Sequence, residues 1–271
     1  MARLLPLCLP VERWLPSGRR CIGIAGAVSF ALLQSLAPNA AEPTTDDELM
    51  RRVIAEVTRS DVTLKAIREL RAGTLSGKHQ GWMDVETTID RSNGFNWKVI
   101  GEGGSERTRN QVLREMMKAE ADAAQRGSDD VAALTPANYQ FQPLPRSRAG
   151  QFEISLEPRR KDPRLIVGTL TVSSDGAPLR LEGRLAKSPS FWVKSVTVVK
   201  QYELIEGVSL PTTLESIADV KLVGQSSFSM RYRYREVNGQ SVFSAQERST
   251  HDLSFAPSRE ILALFKASSR N

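Results

Sequence analysis

Residues 81–99 read Gly81-Trp82-Met83-Asp84-Val85-Glu86-Thr87-Thr88-Ile89-Asp90-Arg91-Ser92-Asn93-Gly94-Phe95-Asn96-Trp97-Lys98-Val99. Met83, Val85 and Ile89 alternate with Asp84, Glu86 and Asp90, and beyond Ser92-Asn93-Gly94 the alternation resumes in Phe95, Trp97 and Val99. Side chains of a strand point to its two faces in turn, so a period of two marks a strand with one apolar face. Asn-Gly between two such runs is a strong hairpin signal, because both residues accept the positive φ that a two-residue turn demands. The stretch is an antiparallel hairpin with one greasy side.

The same period fills most of the C-terminal half. Phe152, Ile154 and Leu156 share a face, as do Ile166, Leu170 and Val172; Ser173 to Gly176 is a turn, and Leu179 and Leu181 continue. Val196, Val198 and Tyr202 follow, then Leu210, Thr212 and Leu214, then Phe228, Met230, Tyr232 and Tyr234, with a second Asn-Gly turn at Asn238-Gly239. About seven strands joined by short turns must pair antiparallel, since parallel crossovers need a dozen or more residues.

Three segments carry helical spacing instead. Thr45 with Glu48 forms a capping box ahead of Leu49, Val53 and Val57, seconded by Met50 and Ile54, which predicts a helix from about Asp46 to Leu70 with a break near Ser60-Asp61. After Gly101 to Gly104, the residues Val112, Leu113, Met116 and Met117 fall on one face of a second helix ending near Arg126-Gly127. A third starts at Ser258 and carries Ile261, Leu262 and Phe265. The order is helix, hairpin, helix, strand meander, with no internal repeat, and it predicts one mainly β (α+β) domain over 42–256 followed by a helical tail over 257–271.

The first 41 residues read differently. Arg19-Arg20 precede an apolar run from Cys21 to Ala37, then come Pro38-Asn39-Ala40-Ala41 and a polar stretch. A basic region, an apolar core and small residues at the exit make a secretory signal peptide cleaved near Ala40 or Ala41, so residues 1–41 are expected to direct export to the periplasm. The other reading is an uncleaved inner-membrane anchor, for which the run is short and interrupted by Ser29, Gln34 and Ser35. Both cysteines, Cys8 and Cys21, lie in the leader, so the remainder has neither disulfide nor thiolate chemistry. Removing the leader takes four of 37 basic residues (Arg3, Arg13, Arg19, Arg20) and one of 31 acidic ones (Glu12), leaving 33 against 30, a net +3. That excess does not argue for nucleic acid.

The parts of the usual hydrolytic and metal sites are missing. The two histidines, His79 and His251, have no carboxylate or histidine at zinc-ligand spacing, and no Gly-x-Ser-x-Gly elbow exists. Gly101-Glu102-Gly103-Gly104-Ser105 precedes a helix but lacks the Lys-Ser/Thr of a P-loop, so it reads as a strand-to-helix joint. No catalytic residue, metal ligand or cofactor is therefore expected, and the chain is read as a non-enzyme.

Arg231-Tyr232-Arg233-Tyr234-Arg235 is more distinctive, because alternation puts three guanidinium groups on one face and two tyrosines on the other. Arg231, Arg233 and Arg235 are a solvated face, contacts for anionic headgroups, or a nucleic-acid contact, a reading that export argues against. Met116-Met117 is either plain core or an adaptable lid over a greasy site.

Four segments taken together resemble a known family. They are Leu134 to Phe141 (LTPANYQF), Leu156 to Asp162 (LEPRRKD), Leu181-Glu182-Gly183-Arg184 followed by Ser188-Pro189-Ser190-Phe191-Trp192, and Leu210-Pro211 ahead of the Arg-Tyr ladder. From about Val99 to Val237 the chain is similar to outer-membrane lipoprotein-sorting-like periplasmic proteins of the LolA-like superfamily. The resemblance implies a strongly curved antiparallel sheet, an incomplete (half) β-barrel, with helices over an apolar concavity that in relatives holds acyl chains of lipoproteins or other lipids. A related branch serves envelope-stress sensing. The resemblance assigns the family's functional arginine to no one residue here.

The expected function is a periplasmic lipid- or lipoprotein-binding carrier. Phe95, Trp97, Phe152 and Ile154, with Phe228, Met230 and Tyr232, would line the concavity; the helix bearing Val112, Leu113, Met116 and Met117 would be its lid. Its partners would be acyl chains and, through them, inner- or outer-membrane envelope proteins. The rival readings are an interaction module that recognises an envelope protein by strand addition or by the arginine ladder, and an enzyme built around His79 or His251.

Overall fold

A computed structural model of the chain describes residues 46–58, 62–90, 94–126, 132–148, 150–242 and 256–268. Alternation dictates nearly all of it. The strands are β1 (Leu64–Thr74), β2 (Gly81–Asp90), β3 (Gly94–Gly104), β4 (Tyr139–Arg148), β5 (Gln151–Pro158), β6 (Ile166–Ser173), β7 (Pro178–Leu185), β8 (Val193–Ile205), β9 (Val208–Val220), β10 (Gly224–Val237) and the short β11 (Gln240–Ser241). They form one antiparallel sheet in the order β3-β2-β1-β10-β9-β8-β7-β6-β5-β4, with β11 beside β10. The end strands β3 and β4 do not meet, so the sheet curves without closing and the fold is a half-barrel with covering helices. Register shifts at Lys65/Ala66, Asp84/Val85, Thr171/Val172 and Gln201/Tyr202 supply bends that regular pleating lacks.

The first helix is shorter than its sequence predicts. Helix α1 spans Asp46–Val57 and ends where Thr58 turns its hydroxyl back to the Ile54 carbonyl at 2.6 Å. The segment predicted to continue the helix to Leu70 is β1, whose buried residues Leu64, Ala66, Arg68, Leu70 and Ala72 repeat every second position. Pairing decides the matter: β1 is hydrogen-bonded to β2 on one side and to β10 on the other, a lateral arrangement no helix offers. The Asn-Gly turn at 238–239 is as read, with φ of 51° and 79° and Val237 paired with Gln240. In the first hairpin Asp90 pairs with Gly94, while Ser92-Asn93 lie outside the described residues.

The interior face carries one continuous apolar cluster drawn from all ten long strands. Helix α1 covers it at the β4 and β7 side through Leu49 and Val53. Over β1 to β3 lies a helical run built from α2 (Glu106–Thr108), a π-helical turn (Arg109–Leu113) and α3 (Arg114–Arg126). The C-terminal helix α4 (Arg259–Ser268) packs on the opposite face, where Ile261 and Phe265 meet Val199 and Ile217. Ser258 caps it, accepting a hydrogen bond from the Ile261 amide at 3.4 Å.

At one place two strands approach so closely that no side chain fits. Gly168 on β6 faces Gly183 on β7, and a Cβ on Gly168 would lie 1.9 Å from the Glu182 carbonyl oxygen. Gly168→Val is therefore expected to lower stability by at least about 1–3 kcal/mol, the usual cost of overpacking. Urea denaturation checks this; a midpoint equal to the parent's would show that the strands part at no cost.

Candidate functional site

The interior face is mostly apolar, with the hydroxyls of Thr87, Thr212 and Ser216 in the inward phase of β2 and β9, and it carries buried charges at its centre. On β1 the inward series Leu64, Ala66, Leu70 and Ala72 is interrupted by Arg68, only 2% exposed, and on β8 the series Val196, Val198 is followed by Lys200, 7% exposed. The third charge comes from the covering helix. Leu113, Met116, Met117 and Glu120 recur at i, i+3, i+4 and i+7, one face of a helix, and all four are buried against the sheet. Strand alternation and helix periodicity thus bring two cations and one carboxylate into one greasy interior.

The geometry separates the two cations. Arg68 Nη1 donates to both Glu120 oxygens, at 2.8 and 2.7 Å. Its guanidinium carbon lies 5.0 Å from the Phe95 ring centre and 5.1 Å from that of Tyr232, so two aromatic faces sandwich the charge. Arg68 Nε is buried without a hydrogen-bond partner. Tyr232 stacks on Tyr234 with centroids 6.2 Å apart, and Tyr234 donates its hydroxyl to the Pro211 carbonyl at 2.7 Å. Lys200 Nζ lies 4.9 Å from the Tyr202 ring centre, and among the described residues it has no hydrogen-bond or ion-pair partner.

Removing charges from water costs several kcal/mol per ion unless partners replace the lost hydration. Burial works against the Arg68 charge, yet Glu120 outweighs it and holds the guanidinium above the usual arginine range. Lys200 has no such help at hydrogen-bond distance. Burial pushes its ammonium down to about 8, Glu120 opposing and Arg68 reinforcing the shift. Burial also raises Tyr202 and Tyr234 above the ordinary phenol range, so both stay neutral. With Lys200 protonated, the centre carries two positive charges against one negative, an interior with room in its electrostatics for one more anion.

The covering helix is fastened at its start and again along α3. At its start Thr108 donates its hydroxyl to the His79 carbonyl at 2.6 Å, Arg109 Nη1 donates to the Gly104 carbonyl at 2.8 Å, and Arg114 pairs with Glu102 at 2.6 Å. Further along, the Arg68–Glu120 pair ties it to β1. The glycine-rich joint is as read from sequence, ending β3 and turning into the helix at Gly104, whose φ is 76°.

The sequence-predicted lining residues all belong to the interior cluster. Phe95, Ile154, Leu113, Met116, Met117 and Met230 are buried in it, while Trp97, Phe152, Val112, Phe228 and Tyr232 are partly buried against it. They do not form one compact group, since Phe152 and Ile154 lie on β5, five strands beyond β10 and close to the open end of the sheet. Arg231 and Arg233 alternate with Met230, Tyr232 and Tyr234 and face outward, where Arg233 pairs with Glu69 at 2.7 Å. Arg235 is the extra residue of the β10 bulge and is exposed. These three arginines thus stand apart from the interior charges.

Sequence reading passed over Arg68, Glu120 and Lys200. Their signal was a charged residue in the inward phase of an apolar alternation, as in Val196-x-Val198-x-Lys200-x-Tyr202. His79 sits exposed in the β1–β2 turn with a φ of 55°, away from this centre, and His251 lies outside the described residues. Among the described residues no three His, Cys, Asp or Glu side chains could hold a metal ion, and no helix is long and apolar enough to cross a membrane.

No family model matches the chain, and no curated protein matches it in sequence. Among solved structures, a DUF1329 family protein from Desulfovibrio piger is similar over 70% of this chain and 90% of its own, at 12% identity and a TM-score of 0.30. MucB is similar over 69% of this chain and 92% of its own, at 11% identity and a TM-score of 0.20. MucB in complex with MucA(peri) gives 12% identity and a TM-score of 0.19 over the same shares.

Proposed function

We propose that the chain is an exported periplasmic protein that binds, without catalysis, an acyl chain bearing an anionic head, supplied by a lipid or a lipoprotein. The observation that supports this most is Lys200, a cation inside an apolar half-barrel with no hydrogen-bond or ion-pair partner among the described residues. The helical run 106–126 acts as the lid. Opening it about the Gly104-Ser105 joint breaks one buried ion pair and bares a concave apolar face with Arg68 and Lys200 at its centre. An entering carboxylate or phosphate then replaces Glu120 against Arg68 and gives Lys200 a counterion, while each methylene buried contributes about 0.8 kcal/mol. Binding and release are the whole mechanism, and no bond is made or broken.

Lipid extraction of protein purified from cell envelopes, together with displacement of a fluorescent fatty acid, tests this reading. A fatty acid is expected to bind at least about tenfold more tightly than its methyl ester, the margin of one charge-assisted hydrogen bond. Reproducibly empty protein, or equal affinity for acid and ester, would overturn it.

A protein-binding module is the second reading, favoured by the two unpaired sheet ends. Both ends are blunted, however. Pro143 and Pro145 remove amide donors from β4, and Ile100 sits in a bulge of β3, so strand addition finds poor templates there. Capture of a defined envelope protein by lipid-free protein would support that reading instead.

A further inference from the structure

Far from the interior charges, two loops carry apolar side chains into solvent together. Phe191 and Trp192, ahead of β8, are 77% and 41% exposed; Leu222 and Val223, between β9 and β10, are 93% and 58% exposed. They form one patch. The Lys221 amide donates to the Trp192 carbonyl at 2.8 Å, Lys221 Nζ lies 3.6 Å from the Phe191 ring centre, and the Phe191 and Trp192 rings meet edge to face at 5.6 Å. Single exposed apolar residues need no explanation, but four large ones side by side at the end of a sheet do. Their setting is basic: residues 187–194 and 219–224 contain Lys187, Lys194 and Lys221 against one acid, Asp219, which pairs with Lys194 at 3.3 Å.

We propose that this tip docks the protein on an anionic lipid bilayer, with Phe191, Trp192, Leu222 and Val223 entering the headgroup boundary and the lysines facing the phosphates. The combination suits a membrane surface better than a protein partner. Indole rings settle at the boundary between hydrocarbon and headgroups, and lysines extend their charge to phosphates while their stems follow apolar surface. Leu222, with a φ of 68° in the β9–β10 turn, is 93% exposed, so its whole side chain is available to a surface. Docking of this kind adds apolar burial to electrostatic attraction and weakens with salt. It goes beyond the lipid-binding reading and does not depend on it.

Co-sedimentation with vesicles of phosphatidylcholine alone, and of phosphatidylcholine with about a quarter phosphatidylglycerol, is the test. Purified protein is expected to sediment with the anionic vesicles, to do so less in high salt, and to show Trp emission shifted to the blue, a shift that Trp192→Phe removes. The double change Phe191→Ser, Leu222→Ser is expected to cut partitioning at least about tenfold while leaving the melting temperature in place, since both side chains already stand in water. The same double variant should keep the parent's displacement of the fluorescent fatty acid, since Phe191 and Leu222 lie outside the interior cluster, so failure of either idea is visible without the other. The proposal is overturned if the parent protein ignores anionic vesicles, if the double variant binds them as well as the parent, or if the patch changes only self-association.

Discussion

Glu120→Leu is expected to destabilise the protein by about 3–5 kcal/mol, because it strips the carboxylate from a buried pair and leaves Arg68 and Lys200 as uncompensated cations. For a chain of this size that corresponds to a melting temperature lower by roughly 10 °C. Arg68→Leu should cost less, for a reason specific to this interior: the orphaned Glu120 then has the Lys200 ammonium, already under its electrostatic influence, as a replacement partner. The double change removes charge from both the lid and β1 and should recover most of the loss, since a buried ion pair replaced by apolar groups is often neutral or stabilising. Urea unfolding of the four proteins gives the coupling energy directly. A Glu120→Leu loss under about 1 kcal/mol, or a double variant as unstable as the sum of the singles, would mean that water reaches the pair and the lid is not fastened there.

The same charges mark where the sequence was easy to read and where it was not. Strands declared themselves wherever one face met the apolar interior, as in Met83-Val85 or Ile154-Leu156, because burial on one side imposes the period of two. The error at β1 has the same origin. Leu64, Ala66, Arg68 and Leu70 alternate correctly, but a small side chain and an arginine occupy two of the inward positions, so the apolar count there is too thin to outweigh the helical spacing running on from Val57. The residue that obscured the strand is the one at the centre of the site. Glu120 hides in the same way among the charges of α3, because helix periodicity assigns it to the inward face only once the face is known from Leu113 and Met117. The pairing of Arg68 with Glu120, 52 residues apart, follows from laying α3 across β1, which no local pattern records. Apolar lining residues are legible one by one; a buried polar contact belongs to the tertiary arrangement.

Lys200→Met should raise stability while removing affinity for anionic lipid. In the folded protein the ammonium titrates at about 8, against 10.5 as its ordinary value. Below pH 8 it is charged in both states and the folded state bears the full desolvation penalty; between pH 8 and the unfolded value the unfolded chain holds the extra proton, so stability rises with pH. A shift of that size is worth roughly 3 kcal/mol, and the methionine, similar in length and without charge, should recover much of it at neutral pH. The useful window is pH 8 to 9.5. Above it the buried tyrosines act with the opposite sign: Tyr139, pushed up to about 12, and Tyr202 and Tyr234, also raised, lose stability as the unfolded phenols ionise near 10. Parent protein should therefore gain stability across pH 8 to 9.5 and Lys200→Met should not. A residue that weakens the empty fold persists where it serves a bound state, and the paired measurement decides this here. A more stable variant that no longer prefers fatty acid over methyl ester identifies Lys200 as the receptor for the anionic head, whereas a variant with unchanged stability, unchanged pH slope and unchanged preference removes it from the site.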